Sequence, residues 1–147
     1  MEINGIAHIQ LTVSNFEKSL PFYKALLQFF EMTPMFETNG FYYCVGGRTG
    51  IAISAASSEH KNENFVQTRC GLHHVCIRLK KPEDIDALHD FAKKLNAKII
   101  RPPTENPEWA PGYYSLLFED PDGIRIEANY VPGKGNLDPK VALPKAW

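Results

Sequence analysis

The sequence predicts an α+β fold in which two similar βαβββ modules form a curved mixed sheet around a central cavity. The first observation is an internal repeat, because GIAHIQLTV (5–13) and GLHHVCIRL (71–79) place His8 and His74 at matching positions, 66 residues apart. The second is that the hairpins repeat too, since GFY (40–42) matches GYY (112–114) and GIAISA (50–55) matches GIRIEA (123–128). A repeat of this kind outweighs local propensity in assigning a fold.

The first module begins with an alternating segment, 6–13, whose one face is aliphatic, which predicts a strand. Ser14 or Asn15 is suited to cap a helix that runs to Phe29 or Phe30, with Pro21 inside its early turns or bending it. Three short strands are predicted at about 31–36, 41–45 and 50–54. The pairs Asn39-Gly40 and Gly46-Gly47 mark the turns between them.

The second module repeats this order after a polar linker. We expect a single domain over 1–147, with module 1 at about 3–56, the linker at 57–70, module 2 at about 71–132 and a C-terminal tail at 133–147. Predicted strands are 72–79, 98–101, 113–119 and 124–130, and Pro82 begins a helix with Asn96 as its C-cap. The DPDG segment at 120–123 predicts a tight turn before the last strand.

Bulk composition excludes several classes of protein. The formal net charge is −1 and there is no run of Lys or Arg, so nucleic acid is not an expected partner. No apolar stretch approaches the roughly 18 residues of a membrane span, and no secretory signal is visible at the N-terminus. Three cysteines, an odd number without zinc-type spacing, favour the reducing cytoplasm.

The strand faces that point away from the helices carry most of the polar residues. Alternation places on these faces the following set: His8, Gln10 and Thr12; His74, Cys76 and Arg78; Arg125, Glu127 and Asn129. Two imidazoles and a carboxylate can bind a divalent ion at three points and leave positions open for substrate. A cation is also needed to neutralise Glu127 if it is buried, and Arg125 or Arg78 is the alternative to a metal.

These features resemble the vicinal oxygen chelate superfamily, which includes glyoxalase I, extradiol dioxygenases, methylmalonyl-CoA epimerase and the fosfomycin- and bleomycin-resistance proteins. The resemblance rests on the two βαβββ units, the strand-borne His8 and His74, and DPDGIRIEANY at 120–130. It implies His8, His74 and Glu127 as metal ligands. Glyoxalase I has a fourth ligand, but the repeat places Ser54 there, so the set is similar to that of extradiol dioxygenases and fosfomycin-resistance enzymes instead.

The resemblance implies a divalent-metal-dependent enzyme, with Zn, Fe, Mn or Ni, that binds a small substrate through neighbouring oxygens. An isomerase, lyase or ring-cleaving reaction is expected, with Glu127 as the catalytic residue. The candidate substrate-binding residues are Gln10, Arg78, Trp109, Tyr114, Arg125 and Asn129. The alternative is a bleomycin-resistance-like antibiotic-binding protein without catalysis, which the aromatic residues Phe41, Tyr42, Trp109, Tyr113 and Tyr114 favour.

Several assignments stay open in the sequence. His73 is the neighbouring alternative to His74 as a ligand, although alternation turns it toward the helix. Cys76 is either reactive or a small buried hydrophobe, and Trp109 belongs either to a lid over the cavity or to a loop that packs on the core. The resemblance implies a homodimer, and His8 then meets Glu127 either within one chain or across the pair.

Overall fold

The computed structural model describes residues 1–135, which form two compact units. The chain divides into Met1–Phe65 and Val66–Trp147, and in each unit one helix accompanies a four-stranded sheet. The α+β class and the repeated βαβββ order are therefore confirmed, with two separate four-stranded sheets in place of a single one. Residues 136–147, most of the predicted tail, lie outside the described residues.

The first unit contains β1 (His8–Val13), α1 (Phe16–Phe29), β2 (Thr33–Thr38), β3 (Phe41–Gly46) and β4 (Thr49–Ala55). The strand order is β1-β4-β3-β2, in which β1 and β4 are parallel and the other pairs are antiparallel. Alternation along β1 is as predicted, because Leu11 and Val13 are buried while Gln10 and Thr12 are exposed. The apolar face packs with Phe22, Leu26 and other apolar side chains of α1 to form this unit's core.

The second unit contains β5 (Val75–Arg78), α2 (Pro82–Lys94), β6 (Lys98–Glu105), β7 (Tyr114–Glu119) and β8 (Arg125–Tyr130). Its strand order, β5-β8-β7-β6, repeats that of the first unit, with a parallel pair β5–β8. The core between α2 and the sheet consists of buried apolar side chains: Val75, Ile85, Leu88, Ala92, Leu116, Phe118, Ile126 and Ala128. The face of β8 that carries Glu127 and Asn129 is buried too.

The structure changes three local predictions. Residues 72–74 are not part of a strand, because β5 pairs only with β8 and that ladder begins at Val75 and Ile126. The two-residue hairpin loop is Gly47-Arg48, with φ of 57° and 67°, so the turn falls one residue later than expected. Asn96 adopts φ 56° just after the C-cap, Leu95, rather than being the cap itself.

The strand pairing aligns the last strands of the two modules differently from the sequence repeat, by two residues. His8 pairs with Gly50 and Gln10 with Ala52, whereas Cys76, the repeat of Gln10, pairs with Glu127. Ala52 is therefore the first-unit counterpart of Glu127, and Ser54 corresponds to Asn129. A shift of two keeps every side chain on its face, so the conclusion that a carboxylate is missing from this place holds.

The structure also describes the cysteines and the character of the two helices. Cys44, Cys70 and Cys76 are all free. Within residues 1–135, neither helix has the length and apolar character needed to cross a bilayer.

Candidate metal centre

Glu127 is a carboxylate in an otherwise apolar environment. It lies in the middle of β8 between buried Ile126 and Ala128, and only 3% of its surface is exposed. A buried carboxylate is unfavourable unless cations or hydrogen-bond donors compensate it. The structure supplies these from His74, Arg101 and Tyr113, so this residue is the centre of a polar cluster on the side of the sheet opposite α2.

His74 is the first of these partners. Its Nε2 lies 3.1 Å from Oε2 of Glu127, and its Nδ1 lies 2.7 Å from Nδ1 of His73. The alternation argument for His73 does not apply, since residues 72–74 precede β5, and its ring instead contacts that of His74 edge-on at 5.0 Å. The contact at Nδ1 fixes the orientation of the His74 ring, so that Nε2 is directed at Oε2 of Glu127.

Arg101 was not predicted as a site residue, and Tyr113 was predicted only as one of the aromatic residues of an antibiotic-binding groove. Nη2 of Arg101 and the hydroxyl of Tyr113 each donate to Oε1 of Glu127 at 3.0 Å. The predicted alternative to a metal, an arginine beside Glu127, is therefore present, but it is Arg101 and neither Arg78 nor Arg125. Burial is the main reason that the pKa of the Tyr113 phenol lies well above its usual value, so this group is a donor at neutral pH.

Neither residue could be assigned to the face of Glu127 from the sequence alone. Tyr113 has the same strand parity as Ser115 and Leu117, which pair with Asn129 and Glu127. Arg101 lies between two register shifts in β6, where alternation does not assign a face.

Two buried polar atoms beside Glu127 have no hydrogen-bond partner among the described residues. They are Nε of Arg101 and Oδ1 of Asn129, a residue that is 5% exposed. The side chain of Asn129 also hydrogen-bonds to Tyr113. Buried polar atoms left without a partner in a protein commonly bind water or a ligand, so the predicted substrate-binding role of Asn129 has a physical basis that remains to be tested.

The two arginines predicted to bind substrate differ in their contacts. Nε of Arg125 lies 3.4 Å from Oε1 of Glu119, and Lys98 contacts the other oxygen of that carboxylate, Oε2, at 3.1 Å. Arg78 is exposed and makes no ion pair within residues 1–135. Of the two, Arg78 is thus the one whose charge is available to an anionic group.

The structure contradicts the placement of Tyr114 with Glu127. Alternation in β7 turns it to the opposite face of the sheet, where its hydroxyl donates to Asp86 of α2 at 2.7 Å. That hydrogen bond is the largest cause of a pKa raised to about 12. The tyrosine that faces the cluster is the preceding one, Tyr113.

Trp109 packs on the cluster. Its ring lies 5.5 Å from the guanidinium of Arg101 and 5.3 Å from the ring of Tyr113, and it is partly exposed. These contacts match the alternative in which Trp109 belongs to a loop that packs on its own unit. A role in binding substrate remains a prediction.

Cys76 pairs with Glu127 across the β5–β8 ladder and is exposed. Removal of water by surrounding protein atoms, followed by the charge of Glu127, raises the pKa of its thiol to about 12. The exposure of Cys76 contradicts the alternative of a small buried hydrophobe, and a raised pKa lowers the fraction of nucleophilic thiolate at neutral pH.

The remaining predicted site residues, His8 and Gln10, belong to the first unit. His8 is exposed at the first position of β1, and the amide of Gln10 donates to Oγ of Ser54 at 3.3 Å. Within residues 1–135, no cluster of three or more His, Cys, Asp or Glu side chains is arranged to hold a metal. Within the second unit, the structure brings together His74 and Glu127.

The His74–Glu127 pair fits a divalent ion by its chemistry and spacing. Imidazole nitrogen and carboxylate oxygen are ligands shared by Zn, Mn, Fe and Ni. Two ligand atoms about 2.1 Å from one ion and at right angles are about 3.0 Å apart, and the observed Nε2–Oε2 distance is 3.1 Å. Oε2 is also the oxygen that Arg101 and Tyr113 leave free.

The fold and this pair define a class of small α+β proteins in which two βαβββ units are joined in one chain and the sheets carry the functional groups. Comparison with known proteins identifies the family. The model of the Glyoxalase/Bleomycin resistance protein/Dioxygenase superfamily matches residues 5–128, and the chain belongs to this superfamily.

Individual relatives are more distant. Metallothiol transferase FosB from Shouchella clausii (strain KSM-K16) is 26% identical over 127 residues, which cover 86% of this chain and 80% of the relative. A glyoxylase/bleomycin resistance protein/dioxygenase domain from Frankia sp. EAN1pec has a TM-score of 0.68 and 23% identity, covering 88% and 98% of the two chains.

A third relative contains a metal. It is a variant of the fosfomycin resistance protein FosX from Listeria monocytogenes, solved in complex with Mn(II) and 1S,2S-dihydroxypropylphosphonic acid. Its TM-score is 0.62 at 17% identity, with 86% of this chain and 90% of that chain covered. At this identity the likeness establishes a shared fold.

Proposed function

We propose that the protein is a divalent-metal-dependent enzyme that binds a small substrate through two neighbouring oxygen atoms. The observation that carries the proposal is the contact between Nε2 of His74 and Oε2 of Glu127, 3.1 Å apart on a buried carboxylate. His74 and Glu127 would hold the ion, with His8 as the third ligand, from the same chain or from a partner. The metal would act as a Lewis acid that stabilises negative charge on a substrate oxygen.

The residues around the pair have separate tasks. Arg101 and Tyr113 hold one oxygen of Glu127, so the other keeps a fixed position beside His74. Arg78 offers an unpaired cation and Asn129 an unpaired acceptor on the same face of the second sheet. We therefore propose a substrate with an anionic group for Arg78 and a hydrogen-bond donor for Asn129.

The relatives favour one reaction type among those that the fold can host. FosB is named as a transferase, and the FosX complex contains a phosphonate with two vicinal hydroxyls. An addition or transfer reaction on a small anionic substrate is therefore our first candidate, ahead of an isomerase, lyase or ring-cleaving reaction. Glu127 would be the catalytic residue through its contact with the ion.

No observation favours the alternative of a non-catalytic antibiotic-binding protein. Most of the aromatic side chains that favoured it are engaged within their own units. Tyr42 is buried beside Lys24, Tyr113 holds Glu127, Trp109 packs on Arg101, and Tyr114 binds Asp86.

A homodimer remains part of the proposal. In the first unit, Met35 and Phe36 on β2 and Phe29 at the end of α1 are exposed apolar side chains, with 60% of Met35 and 58% of Phe36 accessible. Exposed apolar groups on neighbouring elements are typical of surfaces that pair. Sedimentation velocity on the wild type and on Phe36→Ser tests this, and a monomeric wild type would contradict it.

The test of the proposed function is metal binding by the purified protein. We expect Mn(II), Fe(II), Ni(II) or Zn(II) to raise Tm, and His74→Ala and Glu127→Gln each to abolish most of that shift. His60→Ala is the matched control, because that histidine pairs with Glu63 in an exposed segment. A wild type that contains no metal and shows no Tm shift with any of the four ions would overturn the proposal.

The third ligand is tested in the same assay. If His8 completes the site, His8→Ala lowers metal affinity about as much as His74→Ala. An unchanged affinity would remove His8 from the ligand set and leave the His74–Glu127 pair in place.

A further inference from the structure

The two oxygens of Glu127 have different partners. Oε1 accepts hydrogen bonds from Nη2 of Arg101 and from the hydroxyl of Tyr113, both at 3.0 Å. Oε2 faces Nε2 of His74 at 3.1 Å. A carboxylate oxygen offers about two lone-pair sites, so two donors occupy Oε1 while Oε2 keeps capacity for a further partner.

The donors to Oε1 are themselves fixed by neighbours on two strands, β7 and β8, and on the loop between β6 and β7. Nη2 of Arg101 also donates to Oγ of Ser115 at 2.8 Å, and the ring of Trp109 lies against both Arg101 and Tyr113. The side chain of Asn129 hydrogen-bonds to Tyr113 from β8. Moving Arg101 or Tyr113 away from Glu127 would therefore disturb several contacts at once.

We propose that Arg101 and Tyr113 form a clamp, supported by Trp109, that restricts Glu127 to coordination of a metal through Oε2 alone. The inference rests on the proposed function, in which Glu127 is a metal ligand. It makes Arg101 and Tyr113 positioning residues, since they act through Glu127 and need not touch the substrate. A one-oxygen ligand leaves one more coordination position for water or substrate than a carboxylate bound through both oxygens.

The clamp has a second consequence for the protein without metal. Glu127 and Arg101 already form a buried ion pair, so the carboxylate is neutralised before any ion binds. Loss of Arg101 would leave that charge uncompensated and would destabilise the metal-free protein. Metal binding would then restore part of the lost stability, so the shift of Tm on adding metal should become larger in the variant.

The experiment compares Arg101→Gln and Tyr113→Phe with two matched controls. Lys98→Gln removes a cation from the same strand that pairs with Glu119, and Tyr114→Phe removes the adjacent hydroxyl, which binds Asp86. X-ray absorption spectra of the Zn(II)- or Mn(II)-loaded proteins report the ligand number. We expect Arg101→Gln to gain one oxygen ligand, Tyr113→Phe to show a partial gain, and both controls to match the wild type.

Thermal unfolding gives an independent readout. Arg101→Gln should have a lower Tm than the wild type without metal and a larger increase on adding metal. Arg101→Lys, which restores the charge without the planar fork, should recover the Tm and only part of the coordination. If Arg101→Gln does not fold, Tyr113→Phe and Arg101→Lys carry the test.

The outcomes separate this inference from the proposed function. A wild type that binds metal through both oxygens of Glu127 would overturn the clamp and leave the metal site intact. Variants whose ligand number and Tm increase equal those of the wild type would do the same. A wild type that binds no metal would overturn both.

Discussion

The two sheets share a topology but differ in what their open faces carry. At the level where the second sheet has Glu127, the first has Ala52, and the nearby polar contact is a neutral one between Gln10 and Ser54. The second sheet has an ion-paired carboxylate with three donors. A duplicated scaffold therefore supports a charged site in one copy only, because each charge needs its own set of partners and the repeat of the backbone does not supply them.

The largest expected effect comes from removing the carboxylate that distinguishes the two sheets. Glu127→Ala leaves the guanidinium of Arg101, whose side chain is 26% exposed, without its ion-pair partner. Breaking a fully buried pair costs about 3–5 kcal/mol of unfolding free energy, and the partial hydration of Arg101 places this variant at the lower end of that range. We expect the substitution to abolish metal binding too. Urea unfolding and a metal titration measure the two effects.

Ser54→Ala is the control in the first sheet. It removes two long hydrogen bonds, an exposed one of 3.3 Å and a part-buried one of 3.5 Å, so we expect a change below about 0.5 kcal/mol and an unchanged metal affinity. If Glu127→Ala and Ser54→Ala lost the same unfolding free energy, the charged cluster of the second sheet would contribute no more stability than the neutral contact of the first.

Much of this contrast could be predicted from the sequence. The repeat indicated both βαβββ units, and simple alternation placed Glu127 and Asn129 together on the face opposite α2. Alternation succeeds there because β5 and β8 pair without a bulge. It fails in β6, where two register shifts flank Arg101, and a strand with bulges has no fixed period of two.

Tyr113 and Tyr114 show a different limit. Tyr114 is the first residue of β7 and Tyr113 precedes it directly, and composition does not say which of them faces Glu127. The choice depends on the register between β7 and β8, in which Leu117 pairs with Glu127. Register is set by the whole ladder and by turn geometry, so it becomes readable only once the pairing is known.

The two sheets also differ at the position opposite the repeated histidines, His8 and His74. In the first unit this is Gly50, opposite His8, and a Cβ added there would lie 2.7 Å from Cζ of Tyr43. The corresponding position of the second unit has Arg125, one step before the Val75–Ile126 pair. The first sheet thus places a tyrosine ring where the second has a long cationic side chain.

Gly50→Ala tests this packing. We expect a loss of about 1–3 kcal/mol in unfolding free energy from overlap with Tyr43. In the double variant Gly50→Ala with Tyr43→Ala the two losses should be less than additive, because truncating the ring removes the overlap. Additive losses would mean that Tyr43 does not determine the need for glycine at this position.

The helices begin with different caps, which gives a smaller effect. Asn15 accepts a hydrogen bond from the backbone of Lys18 at 3.0 Å at the start of α1, whereas α2 begins with Pro82, and Asp84 accepts from the backbone of Lys81 at 3.2 Å. Asn15→Ala should cost about 1 kcal/mol. Asp84→Ala should cost less, because Pro82 already favours the helical backbone. Thermal or urea unfolding measures both, and a larger loss for Asp84→Ala would reverse the expected order.

The polar links between each helix and its sheet give an effect of a size similar to that of the helix caps. In the first unit Lys24 of α1 pairs with Glu37 of β2 at 2.6 Å, and in the second Tyr114 of β7 donates to Asp86 of α2 at 2.7 Å. The link in the second unit exists only while the Tyr114 phenol keeps its proton. The hydrogen bond to Asp86 favours that protonated form and raises the pKa of Tyr114 to about 12. An unfolded tyrosine has a pKa of about 10.

A folded-state pKa above the unfolded value means that the contribution of Tyr114 is complete below about pH 10 and is lost as the pH rises through about 12. We expect Tyr114→Phe to cost about 0.5–1.5 kcal/mol at pH 7, the usual range for one hydrogen bond. Between pH 10 and 12 the stability of the wild type should fall toward that of the variant, measured by urea unfolding at each pH. If the difference in unfolding free energy between the wild type and Tyr114→Phe stays constant from pH 10 to 12, folding does not change the pKa of Tyr114. The hydrogen bond from its neutral phenol to Asp86 would then not contribute to stability as proposed.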